Sequence, residues 1–153
     1  METTLQDSDR LIVWKLGRTW SGLTGSDYVP KRGDIVIFHR PQNAGAATEG
    51  DKQLIKRVVA LPGERVEIKN GVIAVYNNEF PEGFQPDTEG GYTAETSSSL
   101  GDAKWTVEDG QVFVCGDNRD NSLDSRNFGP VDTDQIVGNL AMRIYPFNKF
   151  DTY

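Results

Sequence analysis

Asn70-Gly71, set between short runs of alternating apolar residues at 65–68 and 72–76, limits the fold of this chain more than any other feature. The pair supplies the two positive-φ residues that a two-residue hairpin needs. The rest of the chain follows the same grammar. Residues 11–14, 34–38, 54–61, 111–114 and 136–144 form short apolar runs rich in β-branched residues. Lys31-Arg32-Gly33, Pro62-Gly63 and polar loops at 19–29 and 42–52 separate them. No segment carries a long apolar repeat at the 3.6-residue period. The pattern predicts a mainly β protein, with a barrel or sandwich core built from 1–64 and 112–153. A smaller β-hairpin lobe over 65–111 is inserted into it. Within that lobe, 79–103 reads as an extended excursion, since it is poor in apolar residues and holds Pro, Gly and a Thr-Ser cluster.

Charge and composition exclude several functions. A net charge of -7 leaves no basic patch for a nucleic acid. The one local basic excess, Lys15, Arg18, Lys31 and Arg32, reads as a solvated face. A single cysteine, Cys115, forms no internal disulfide, and with one histidine it cannot build the usual Cys/His zinc site. No metal or cofactor is expected. No stretch approaches the ~20 apolar residues that cross a bilayer. Met1-Glu2-Thr3-Thr4-Leu5 leads almost directly into the first strand, which suggests an excised fragment.

Two features carry chemistry. Residues 116–126, Gly-Asp-Asn-Arg-Asp-Asn-Ser-Leu-Asp-Ser-Arg, hold one large apolar side chain directly after the apolar run 112–115. Asx, Ser and Arg side chains can bond the loop's own backbone and fix its shape. A calcium loop fits poorly, because Arg119 stands at a ligand position and the closing Glu is absent. The second feature is Lys56, mid-strand with Leu54 and Val58 on its own face. Alternation puts Lys56 and Arg57 on opposite faces, so in a sheet covered on both sides at least one is buried. Burial favours the neutral amine, and a neutral lysine is a competent general base for a serine nucleophile. An edge lysine reaching solvent is the plainer alternative.

Four segments in order resemble the sequence boxes of bacterial type I signal peptidases. Residues 1–5 are similar to the stretch after the nucleophilic serine, usually Ser-Met-x-Pro-Thr-Leu, with Thr3 in place of the proline. Arg32-Gly33-Asp34-Ile35-Val36 resembles the second box. Residues 55–64, Ile-Lys-Arg-Val-Val-Ala-Leu-Pro-Gly-Glu, match the lysine box, and 116–129 match the closing box. The resemblance implies a signal-peptidase-like β core and a Ser-Lys dyad with Lys56 as general base. Ser122 would orient that lysine, while Arg57 with Asp117 and Asp124 with Arg126 form supporting ion pairs. The nucleophile is expected immediately before Met1, so the 153 residues alone are expected to be inactive. Substrates would be the signal-peptide regions of exported preproteins, cut after small residues and held extended, with Ile55 and Val36 lining shallow pockets. The enzyme would sit at the plasma membrane through an anchor preceding this sequence, its catalytic domain on the extracytoplasmic side.

Other assignments remain open from the residues alone. Cys115, His39 and an arginine could serve a sortase-like transpeptidase. Self-cleaving repressor peptidases also use a Ser-Lys dyad, and a non-catalytic homologue could grip extended peptides. Trp14 and Trp20, with Leu16 and Leu23, are expected to form an apolar rim at the lipid surface, Trp14 being the more buried of the two tryptophans.

Overall fold

The computed structural model describes residues 4–5, 9–14, 28–41, 53–90, 94, 101–145 and 151–152. The main sheet is antiparallel throughout. It contains β1 (Arg10–Trp14), β2 (Ile35–His39), β3 (Gln53–Ala60), β7 (Gln111–Cys115), β8 (Val131–Asp132) and β9 (Ile136–Tyr145), in the order β1-β9-β2-β3-β7-β8. β10 (Asp151–Thr152) also pairs with β9. A second sheet has β4 (Arg65–Lys69) between β5 (Val72–Tyr76) and β6 (Ala103–Thr106). Among the described residues there are also two one-turn helices, α1 (Pro86–Glu89) and α2 (Ser125–Phe128), and a 3-10 turn at Thr133–Gln135.

The Asn70-Gly71 hairpin forms as its sequence dictates. Both residues take positive φ, 51° and 78°, and Lys69 pairs with Val72 across the turn.

Alternation divides the apolar residues of β3 and β7 between two cores. Val58, Val112 and Val114 pack with Val36, Phe38, Phe128, Val131 and Ile136 on one face. Val59, Phe113 and Cys115 pack on the other face against Val66, Ile68, Ile73 and Val75 of the second sheet. The second sheet thus covers β3 and β7, and the core is a sandwich with buried side chains on both faces of its central strands. A third cluster joins Leu5, Ile35 and Leu140, with Leu11 and Ile55 against it.

Several local expectations need correction. The stretch 79–103 is not wholly extended, because it contains α1 and a bridge from Phe84 to Val75, and β6 begins at its end. Trp14, by contrast, is 57% exposed beside Ile12 at 41%, as the expected apolar rim requires, while Trp20, the other half of the comparison, is outside the described residues. β1 is a sheet edge, and its alternation turns Arg10, Ile12 and Trp14 outward. Arg32 is no solvated charge either. It forms a two-pronged pair with Glu64 (2.6 and 2.7 Å) and lies over the Phe84 ring at 4.8 Å. Trp20, Leu16, Leu23, Lys15, Arg18 and Met1 to Thr3 lie outside the described residues.

Candidate active site

β3 presents Lys56 and Arg57 to opposite faces, and both are 8% exposed. Lys56 pairs in register with Val36 and shares the face of Leu54 and Val58. Burial of its amine pushes its pKa below that of an ordinary lysine. The carboxylate of Asp124 opposes that shift, and the Arg126 guanidinium adds to it.

Arg57 makes a bidentate pair with Asp117, Nε donating to Oδ1 (2.9 Å) and Nη2 to Oδ2 (2.8 Å). Its Nη1 donates to the carbonyl of Gly33 (2.8 Å). That carbonyl belongs to the 31–34 turn, where Gly33 holds φ +89°. One guanidinium therefore ties the second box, the lysine strand and the polar loop together. Burial acts to raise the pKa of Asp117, but hydrogen bonds from Arg57 and the Thr4 hydroxyl outweigh it and hold the carboxyl below its usual range.

The loop organises itself around Asp124. Its carboxylate accepts from the Arg126 side chain through Nε (2.8 Å) and Nη2 (2.9 Å), and from the amide of Gly116 (2.9 Å). It also caps α2, completing a capping box with Asn127. Burial again works to raise this pKa, and the bonds and charge of Arg126 overcome it. Ser125 Oγ accepts from the amide of Val114 (3.0 Å), so β7 and the loop are pinned at both ends of the turn.

Ser122 and Lys56 meet across Gly116. A Cβ on Gly116 would lie 2.2 Å from Ser122 Oγ and 3.5 Å from Lys56 Cδ. Glycine is required there because Ser122 occupies the space a Cβ would need, while the Lys56 stem lies at ordinary contact distance beside it. Ser122 adds slightly to the lowering of the Asp124 pKa, yet its buried Oγ meets no partner at hydrogen-bond geometry among the described residues. The hydroxyl and the lysine stem are neighbours without a bond between Ser122 Oγ and the amine. A buried, unpaired hydroxyl costs about 1–3 kcal/mol, and such groups gather where function needs them.

The two pocket candidates are placed differently. Val36 is fully buried on the Lys56 face. Ile55 is half-buried on the Arg57 face and packs against the Leu5 cluster, where the N-terminal segment passes. Sequence reasoning missed three contributors. Thr4 bonds Asp117, Arg143 of β9 grips the Thr4 carbonyl (2.6 Å), and Arg119 bonds both the Gly116 carbonyl and Asp87. Gly116, following an apolar strand directly, was the one legible signal among the residues around these contacts.

The sortase-like alternative fails on geometry. Cys115 pairs with Arg57, Arg57 with Ile35, and His39 lies four residues further along β2. The two side chains therefore stand roughly 13 Å apart along the strands and ~10 Å across them. Cys115 is fully buried, and burial raises its thiol pKa. His39 instead lines a separate cavity of about 510 Å³ with Gln111, Pro130 and Asp132. Among the described residues, no cluster of three or more His, Cys, Asp or Glu side chains could hold a metal, and no helix is long and apolar enough to cross a membrane.

Comparison with known proteins shows the family. The family model described as "Signal peptidase, peptidase S26" matches residues 1–145. Signal peptidase IB of Staphylococcus aureus strain Mu50 is 31% identical over 159 residues, covering 98% of this chain and 75% of that protein. The probable signal peptidase I-1 of Synechocystis is 34% identical over 151 residues, covering 98% and 69%. The crystal structure of a signal peptidase I from Enterococcus faecalis V583 superposes with a TM-score of 0.53 at 28% identity, over 76% of this chain and all of that one.

Proposed function

The chain belongs to the signal peptidase family, peptidase S26, and on that premise we propose that it cleaves signal peptides from exported preproteins by a Ser-Lys dyad with Lys56 as the base. The observation that carries this reading is a buried lysine with a lowered pKa whose stem shares the space beside Gly116 with the buried hydroxyl of Ser122. The neutral amine of Lys56 takes the proton of the serine hydroxyl as its oxygen attacks the scissile carbonyl. Lys56 then returns that proton to the departing amine, leaving an ester on the serine. A water, deprotonated by the same amine, hydrolyses the ester. Ser122 holds the amine in line through a hydrogen bond made when its side chain rotates Oγ toward Nζ. Arg57 with Asp117, and Asp124 with Arg126, keep the loop rigid around it.

In this reading the nucleophilic serine is the residue that the family motif has before Met1, and Lys56 and Ser122 supply the base and its orienting hydroxyl. An extended substrate would add beside the sheet, with Ile55 and Val36 shaping pockets for small side chains. In this reading 65–111 is a lobe inserted into the catalytic core of 1–64 and 112–153. The exposed Ile12 and Trp14 face the lipid surface, and an anchor outside this sequence holds the core on the extracytoplasmic side of the plasma membrane.

The test uses a peptide with alanine at the first and third positions before the scissile bond. It is incubated with residues 1–153 and with the same chain carrying a serine before Met1. Turnover by the extended chain alone supports the assignment. Equal turnover by both moves the nucleophile elsewhere, and inactivity of both points to a peptide-binding homologue.

A further inference from the structure

Among the described residues three ion pairs hold the polar loop, and two of them involve the residues that flank the proposed dyad. The third joins Arg119 to Asp87, 32 residues away on α1 beside the second sheet. Arg119 is among the most enclosed charges described, its side chain 1% exposed and that of Asp87 10%. Nε donates to Asp87 Oδ2 (3.2 Å) and Nη2 to Oδ1, while Nη1 donates to the Gly116 carbonyl. The carbonyl of Arg119 accepts from Arg126 Nη2 (2.7 Å). Arg119 therefore links the Asp124–Arg126 pair to Gly116, the residue across which Lys56 and Ser122 meet.

The second sheet fixes where Asp87 stands. Phe84 and Val75 exchange backbone hydrogen bonds (both 2.9 Å), which fastens the start of α1 to β5, and Pro86 is buried beneath it. A guanidinium this enclosed needs its carboxylate, since breaking a buried pair leaves an uncompensated charge. Without Asp87, Arg119 would turn toward water and release the Gly116 carbonyl. We propose that Asp87 is a positioning residue for the reaction, through which the second sheet clamps Arg119 onto Gly116 and so sets the approach of Ser122 to Lys56. This rests on reading Lys56 and Ser122 as the working pair, and it gives residues 65–111 a task in catalysis.

The experiment compares Asp87→Asn, Asp87→Glu and a control in the same sheet, Glu67→Gln. Amide hydrogen exchange is followed on residues 1–153, and turnover on the chain carrying a serine before Met1. Asp87→Asn should speed exchange at the Gly116 and Val114 amides about tenfold while Val58 and Phe113 stay protected. It should also lower kcat about 10- to 100-fold with KM within about threefold, since misplacement affects the step and not the binding. Asp87→Glu should restore at least about half of both, because a carboxylate can still reach Arg119. Glu67→Gln should match the unmodified chain. Unchanged exchange around Gly116 in Asp87→Asn overturns the clamp, as does faster exchange spread evenly over the whole core. If no serine-bearing chain cleaves the peptide, the peptidase reading falls, while local exchange at Gly116 still decides whether Asp87 holds the loop.

Discussion

The loop 116–126 and the outer face of the second sheet both crowd charges around buried carboxylates, but the cations that meet them are enclosed in the loop and exposed on the sheet. Asp124 and Arg126 have side chains 0% and 2% exposed, and Asp117 is 0% exposed beside Arg57 at 10%. On the sheet, Glu67, itself only 5% exposed, gathers Arg65, Lys69 and Lys104, whose side chains are 47%, 60% and 63% exposed. The sheet cluster works through flexible cations in water, where screening and side-chain entropy leave little net gain. The loop cluster is desolvated, so each charge must meet its partner at one geometry and a missing partner is costly. Its charges therefore specify a shape, and that shape faces Lys56. The sheet cluster could lose a member with little consequence for the fold.

Substitutions graded across the two regions break or sharpen this contrast. The largest effect is expected at the amine itself. Lys56→Arg in the serine-bearing chain should lower kcat about 10³- to 10⁴-fold while far-UV circular dichroism stays unchanged, because guanidinium keeps its proton at working pH. Near-normal turnover would remove Lys56 from the role of base. Next, Asp124→Ala should destabilise the protein by about 3–5 kcal/mol in urea unfolding, since Arg126 is left buried without its carboxylate. Asp124→Leu combined with Arg126→Met should recover much of that loss. A penalty near zero for the single change would mean that water reaches the loop.

A smaller effect should appear in the pH dependence of stability. The folded pKa of Lys56 is lowered, so between that value and about 10.4 the unfolded chain binds the extra proton and stability rises with pH. Lys56→Met should therefore be more stable than the parent at the acidic end, and its advantage should shrink as pH approaches about 10. A constant difference across pH would show that the lysine is not desolvated. The smallest effect is expected at Glu67→Gln. Hydrogen bonds from Lys104, then Lys69, hold the folded pKa of Glu67 down to about 2. Its stabilising contribution is present above an unfolded value of about 4.3 and is lost as pH falls toward 2. At neutral pH in molar salt the variant's melting curve should overlay the parent's. A salt-insensitive loss would mean that the sheet cluster behaves like the buried one.

Much of the candidate site's geometry was legible in the sequence. Period-two alternation alone puts Lys56 and Arg57 on opposite faces, and strand packing then buries both. Asp124, Ser125 and Asn127 bond within the loop and its own strand, so their tasks follow from local chemistry. Asp87 was not legible, because nothing in a polar excursion marks one acid among several as the partner of a distant arginine. Arg143 was hidden for the same reason, gripping the Thr4 carbonyl from the opposite end of the chain. That Trp14 stands on an edge strand was not legible, because an apolar residue reads alike on an edge and on a central strand.

What the sequence determined by itself is whatever depends on neighbours a few residues apart: the Asn70-Gly71 hairpin, the alternation through β3, the capped turn after Asp124. What tertiary structure decided is which charges lie out of water and with whom, and which strand is an edge. Backbone sterics and short-range hydrogen bonds act within a turn. Desolvation depends on everything packed around a group, and residues distant in the chain supply most of that packing.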